Sequence, residues 1–205
     1  MSNGANWKLF KENLGTQNPV FVQVLGICST LAVTNVVRNT LVMCLGLIFV
    51  TALSNLTLSL LRNQIPSRIR MMVEVLVIAC LVIFVDIALK AFLPDISRQL
   101  GPYVGLIITN CIIMGHAEAV ALTHPPLPAF IDGLSAGIGY SYVLLIIACF
   151  RELLGTGGVW GVRMLGPGWV NWAAMVMAPG GFFMLAVFIW VVKGRLLAPA
   201  TRTGA

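Results

Sequence analysis

Between residues 19 and 193 the chain is a succession of apolar runs joined by short segments that hold most of the charge. Six runs stand out, at about 19–37, 40–61, 71–93, 102–122, 129–154 and 173–193. Each is near the ~20 residues that a helix needs to cross a ~30 Å hydrocarbon core. With 59% hydrophobic and 10% charged residues, the chain also lacks the polar surface of a soluble domain. The pattern predicts an all-α integral membrane protein, with residues 1–205 forming a single membrane domain of six transmembrane segments. The net charge of +6 does not point to nucleic acid, because the basic residues sit at the ends of the apolar runs. An even number of spans puts both termini on one side. That side has eight of the 13 Lys and Arg residues, which favours cytoplasmic termini. The first eighteen residues have no apolar core followed by a small-residue cleavage site, so no cleavable signal peptide is expected.

The first and fourth runs differ from the others. The strongly apolar part of the first is Val20–Thr34, entered through Asn18-Pro19, and that of the fourth is Tyr103–Met114, entered through Gly101-Pro102. As helix these give roughly 22 and 18 Å, short of the bilayer core. Each has a soft or polar point near its middle, Gly26 in one and Thr109-Asn110 in the other. Cys28 and Cys111 lie next to these points, each nine residues after the proline. Each short run opens a set of three, so residues 1–100 and 101–205 share a plan. With an odd number of spans per set, the second copy must be inverted in the membrane. Paired interrupted segments are the mark of an inverted repeat whose site lies near the bilayer midplane. The first and fourth segments are therefore expected to be broken into half-helices there.

Five cysteines, Cys28, Cys44, Cys80, Cys111 and Cys149, all lie in apolar runs, and none forms a CxxC pair. Cys44, Cys80 and Cys149 sit in uninterrupted stretches and read as small packing residues. Cys28 and Cys111 would be brought together by a pseudo-twofold axis in the membrane plane. Zinc usually takes four Cys or His ligands, but His116 and His124 lie away from the break. A 2Fe–2S cluster takes four thiolates. Two would come from this chain and two from a second copy or a related partner.

The stretches VLGICSTLAVT, FVTALSNLTLSLLRNQIPSRIR, VGLIITNCIIMGHAEA, IDGLSAGIGY and FRELLGTG are similar to the D-subunit family of the sodium-translocating NADH:quinone oxidoreductases. That family shares a superfamily with the E subunits of the same complexes and with the E and A subunits of the Rnf electron-transport complexes. The resemblance runs from about Asn18 to Gly158 and, more loosely, through the last span. FVTALSN and the Arg62-Asn63-Gln64-Ile65-Pro66 turn favour the sodium pump over Rnf.

The resemblance implies a homologous E subunit of opposite topology, with each of the two chains contributing two cysteines to one intramembrane 2Fe–2S cluster. Cys28 and Cys111 would be the ligands here. Electrons would pass through the cluster toward covalently bound FMN and later return to ubiquinone, and the circuit would drive sodium export. FAD, FMN and riboflavin would be bound elsewhere in the complex, among the A, B, C and F subunits. The implied location is the bacterial inner membrane, with lipid as the surrounding partner. One residue departs from the family pattern Met-Gly-Arg-Ala-Glu-Ala, since His116 stands where Arg is usual.

Ionisable residues within spans are functional candidates. Asp86 has Lys90 one turn later and suits a local ion pair. Glu74 beside Arg70 reads as a solvated span entrance. Asp132 has no local cation in sequence, and Arg151-Glu152 lies in the fifth span. The resemblance implies Asp86 and Asp132 as candidates for an ion path. Two rival functions follow from the same residues. One is a cysteine-independent secondary transporter or channel subunit, which would rank first without the resemblance, and the other is an Rnf-type subunit.

Overall fold

The computed structural model describes residues 25–66, 68–92, 94–159, 162, 163, 177–192 and 194. Helix α1 is Ile27–Val33, α2 Val37–Leu61, α3 Arg70–Phe92, α4 Pro94–Ile108 and α5 Cys111–His116. A π-helical turn, Ala117–Ala121, continues α5, followed by α6 Pro126–Thr156 and α7 Ala178–Val192. Between α6 and α7, Gly158–Val159 pairs with Val162–Arg163 as a small antiparallel ribbon. Four stretches are long and apolar enough to cross a bilayer: Val37–Leu61, Arg70–Phe92, Tyr103–Ala121 and Pro126–Thr156. A shorter apolar helix, Pro179–Val192, matches the last expected run. The entrance of the first run at Asn18-Pro19 lies outside the described residues, as does residue 173, where the last expected run begins.

One boundary and one small element differ from expectation. Helix α4 starts at Pro94 and passes through Pro102, where the sequence suggests an entrance. Pro94 at the first helical position loses no hydrogen bond, so this is the stronger start signal. The all-helical expectation also omits the small ribbon, which follows the left-handed Gly157 (φ 71°) that ends α6.

Helices α2 and α6 form the centre of the bundle. In lipid no hydrophobic effect drives helices together, so close backbone approach through small residues has to do so. Gly133, Gly137 and Ser141 supply that stripe at four-residue intervals on α6. A Cβ at Gly137 would sit 3.1 Å from the Ile48 Cα, and one at Gly133 only 2.9 Å from the Thr51 carbonyl oxygen. Around these contacts Leu47, Val50 and Leu58 of α2 and Leu144 and Ile147 of α6 are buried. Helix α3 buries only Glu74, Ile78 and Val82, a one-sided stripe at four-residue spacing. Its other faces expose Met72, Leu76, Phe84 and Phe92, which suits lipid or a neighbouring subunit.

Adjacent buried charges join α1, α2 and α6. Arg151 donates to the Leu31 carbonyl oxygen (3.2 Å), Thr34 Oγ1 (2.6 Å) and the Met177 carbonyl oxygen (3.1 Å). Glu152 accepts the Val37 N–H at 2.8 Å. The cation thus meets carbonyls where α1 ends, and the carboxylate meets the first amide of α2. Each charge complements the local helix dipole. These two residues close the gap between α1 and α2 rather than standing as free intramembrane charges.

Candidate functional site

The two sequence positions singled out as breaks meet in the bundle interior. Gly26 precedes α1 with φ 83°, a left-handed conformation that costs glycine little. Its carbonyl oxygen accepts from Ser29 Oγ (3.2 Å), Thr30 Oγ1 (2.8 Å) and Tyr140 OH (2.8 Å). On the other side, Thr109 and Asn110 interrupt the helix between α4 and α5. Asn110 caps α5 by accepting the Ile112 N–H at 3.0 Å through its side-chain oxygen. Its amide nitrogen donates to Ser29 Oγ at 3.3 Å. Ser29 Oγ is in turn hydrogen-bonded to Tyr140 OH.

One hydrogen-bonded network therefore joins Asn110, Ser29 and Tyr140 to the Gly26 carbonyl. Ser29, Asn110 and Tyr140 are each 0% exposed. A buried polar network that is satisfied throughout holds its members in one arrangement, and this network ties the two breaks to each other. Ser29 and Tyr140 escaped the sequence reading. Ser29 is next to Cys28 in ICST, but nothing local links it to a tyrosine 111 positions away.

Cys28 is the second residue of α1 and Cys111 the first of α5. Both are free thiols, Cys28 half-buried and Cys111 exposed. No group of three or more His, Cys, Asp or Glu suited to a metal occurs among the described residues. The donor set fits half of a thiolate-bound cluster, since two thiols stand beside the joined breaks and one faces outward where another chain could complete the set. Of the other cysteines, Cys44 is buried with its Sγ 3.8 Å from the Ser141 carbonyl oxygen, as a packing residue should be. Cys80 and Cys149 are exposed instead. A membrane span is apolar all round, so composition does not reveal which face turns inward.

The intramembrane acids have partners that sequence spacing only partly predicts. Asp86 pairs with Lys90 at 2.6 Å, as expected one turn apart. Asp132 meets His116 Nδ1 at 2.8 Å, so the residue departing from the family pattern contacts the acid that lacks a local cation. His116 lies just before the π-helical turn, a backbone feature often associated with function. Glu74 is 1% exposed, contrary to the expected solvated entrance. Arg70, which was to accompany Glu74, reaches across to Glu118 at 2.7 Å.

Residues 6–189 match the family model described as Rnf-Nqr subunit, membrane protein. The chain is 51% identical over 188 residues to the D subunit of the Na(+)-translocating NADH-quinone reductase of Photobacterium profundum. The match covers 89% of each chain.

Proposed function

Because the chain belongs to the Rnf-Nqr family of membrane subunits, we propose that it is the D-type subunit of a sodium-pumping NADH:quinone reductase. The 51% identity over 89% of both chains to a subunit of that name supports the choice over the Rnf complexes. In this reading the protein is a multi-pass subunit of a bacterial inner-membrane translocase, with no complete active site of its own. Its six spans form two inverted three-span repeats, and the termini face the cytoplasm. Its partners are a homologous E subunit of opposite topology and the A, B, C and F subunits, which hold FAD, FMN and riboflavin.

Within that complex, Cys28 and Cys111 supply two of the four thiolates of a 2Fe–2S cluster, and the E-type partner supplies the others. The observation that carries this role is the hydrogen-bonded union of the two breaks, with each thiol at the start of a short helix. When bound, the cluster would supply a one-electron relay between redox groups on opposite sides of the bilayer. This chain's contribution is positional. Asn110, Ser29 and Tyr140 hold the breaks together, Gly26 lets the first break turn, and the apolar spans keep water from the thiols. Asp86 and Asp132 are proposed to border a sodium path. Asp132 is held by His116 at 2.8 Å.

Affinity purification of the tagged chain from its native membrane tests the assignment. The expected product is a flavin-containing complex whose NADH:quinone reductase activity rises with sodium. Recovery of a complex that exchanges electrons with ferredoxin and does not reduce quinone would replace this reading with the Rnf one.

A further inference from the structure

Glu74, Glu118 and Arg70 lie together where α3 begins and the π-helical turn ends the fourth apolar stretch. Three observations define the group. Glu74 is 1% exposed, and its Oε1 has no hydrogen-bond partner. Glu118 lies beside it, and two carboxyl groups brought close together need a proton or a cation between them. Glu118 takes Arg70 at 2.7 Å and remains half exposed, which leaves the group open on one side.

Charge selects the ligand. The Arg70 guanidinium offsets one carboxylate, so the ionised group has a net charge of −1, and that charge resides on the buried residue. An unpaired carboxylate in an apolar setting is costly to keep. One monovalent cation bound by carboxylate oxygen would balance it. We propose that Glu74 and Glu118 form a sodium-binding site at the mouth of the bundle, with Arg70 holding Glu118 in place. The side is the one where α2 ends and α6 begins. There Ser59 Oγ donates to the His124 carbonyl oxygen at 2.7 Å, joining the last turn of α2 to the segment before α6. With cytoplasmic termini this is the cytoplasmic face, the side from which an exporter loads. The choice of sodium rests on the pump reading above. The site is separate from Asp86 and Asp132.

The test uses the intact complex and dicyclohexylcarbodiimide, which modifies carboxyl groups in apolar surroundings, with the adduct at Glu74 quantified by mass spectrometry. Sodium at about ten times its dissociation constant should lower labelling of Glu74 about tenfold. Choline at equal ionic strength should leave it unchanged. Glu74→Gln, which keeps the shape of the side chain, should raise the sodium concentration for half-maximal quinone reduction severalfold. The iron–sulfur signal should remain. Labelling of Glu74 that is indifferent to sodium, or absent under both salts, would overturn the site. If a sodium-stimulated reductase persists in that case, the pump reading stands and only the site fails. If no sodium-stimulated reductase is found, the pump reading itself fails.

Discussion

Cys28→Ala is expected to stop NADH-driven quinone reduction by the assembled complex, while reduction of an artificial acceptor at the NADH-oxidising flavin continues. In the proposed cluster alanine would remove one of four ligand positions, and a 2Fe–2S centre needs all four filled. The change in packing is small, because Cys28 is only half-buried and the two side chains are close in size. The loss should therefore fall on electron flow and leave assembly intact. Cys44→Ala is the matched control. Cys44 is more deeply buried and lies against Ser141, away from the joined breaks, so its removal should leave electron flow unchanged. Rates measured with quinone and with the artificial acceptor on each variant separate these outcomes. Equal loss in both variants would mean that neither cysteine has a special role.

The second large effect is expected at Gly26. Gly26→Val places a side chain where an added Cβ would lie 2.6 Å from the Tyr140 ring. The residue also holds φ 83°, which disfavours a non-glycine residue by roughly 1–2 kcal/mol. Displacing Tyr140 breaks its bond to the Gly26 carbonyl and disturbs Ser29 and, through it, Asn110. Each buried polar group left unpaired costs about 1–3 kcal/mol. The total is on the order of 4 kcal/mol or more, the range of single changes that abolish folding. The expected result is loss of the chain from the membrane fraction, read by immunoblot and by size-exclusion of the detergent-solubilised complex. Gly105→Ala tests the specificity of the effect, since nothing lies within 4 Å of a Cβ there, and it should leave the complex intact.

The left-handed Gly26 and the interruption at Thr109-Asn110 were legible because their causes are local. A glycine at a left-handed turn and an asparagine that caps the next helix both announce themselves within a few residues. The long spans were legible from length alone, and the Asp86–Lys90 pair from one-turn spacing. What stayed hidden depends on rotation and on contacts far apart in sequence. Glu74 is four residues from Arg70, yet the arginine turns to Glu118, 48 positions away. His116 and Asp132 sit on different elements, and no spacing rule joins them. Tyr140 reads as an ordinary aromatic of a span, but its hydroxyl supports a break 114 positions earlier. In a lipid-facing helix the apolar pattern runs all round, so the inward face was not encoded in hydropathy, as exposed Cys80 and Cys149 illustrate.

His116 stands where the resemblance leads one to expect an arginine. The imidazole contacts Asp132 at 2.8 Å in a setting where both side chains are largely buried.

The most direct test of the account is iron and acid-labile sulfide analysis with EPR of the reduced complex, comparing wild type with Cys28→Ala and Cys111→Ala. The account predicts that each variant retains its flavins but loses about two irons, about two sulfides and the matching 2Fe–2S signal. Unchanged iron and an unchanged signal in both variants would contradict it, leaving Cys28 and Cys111 as packing residues.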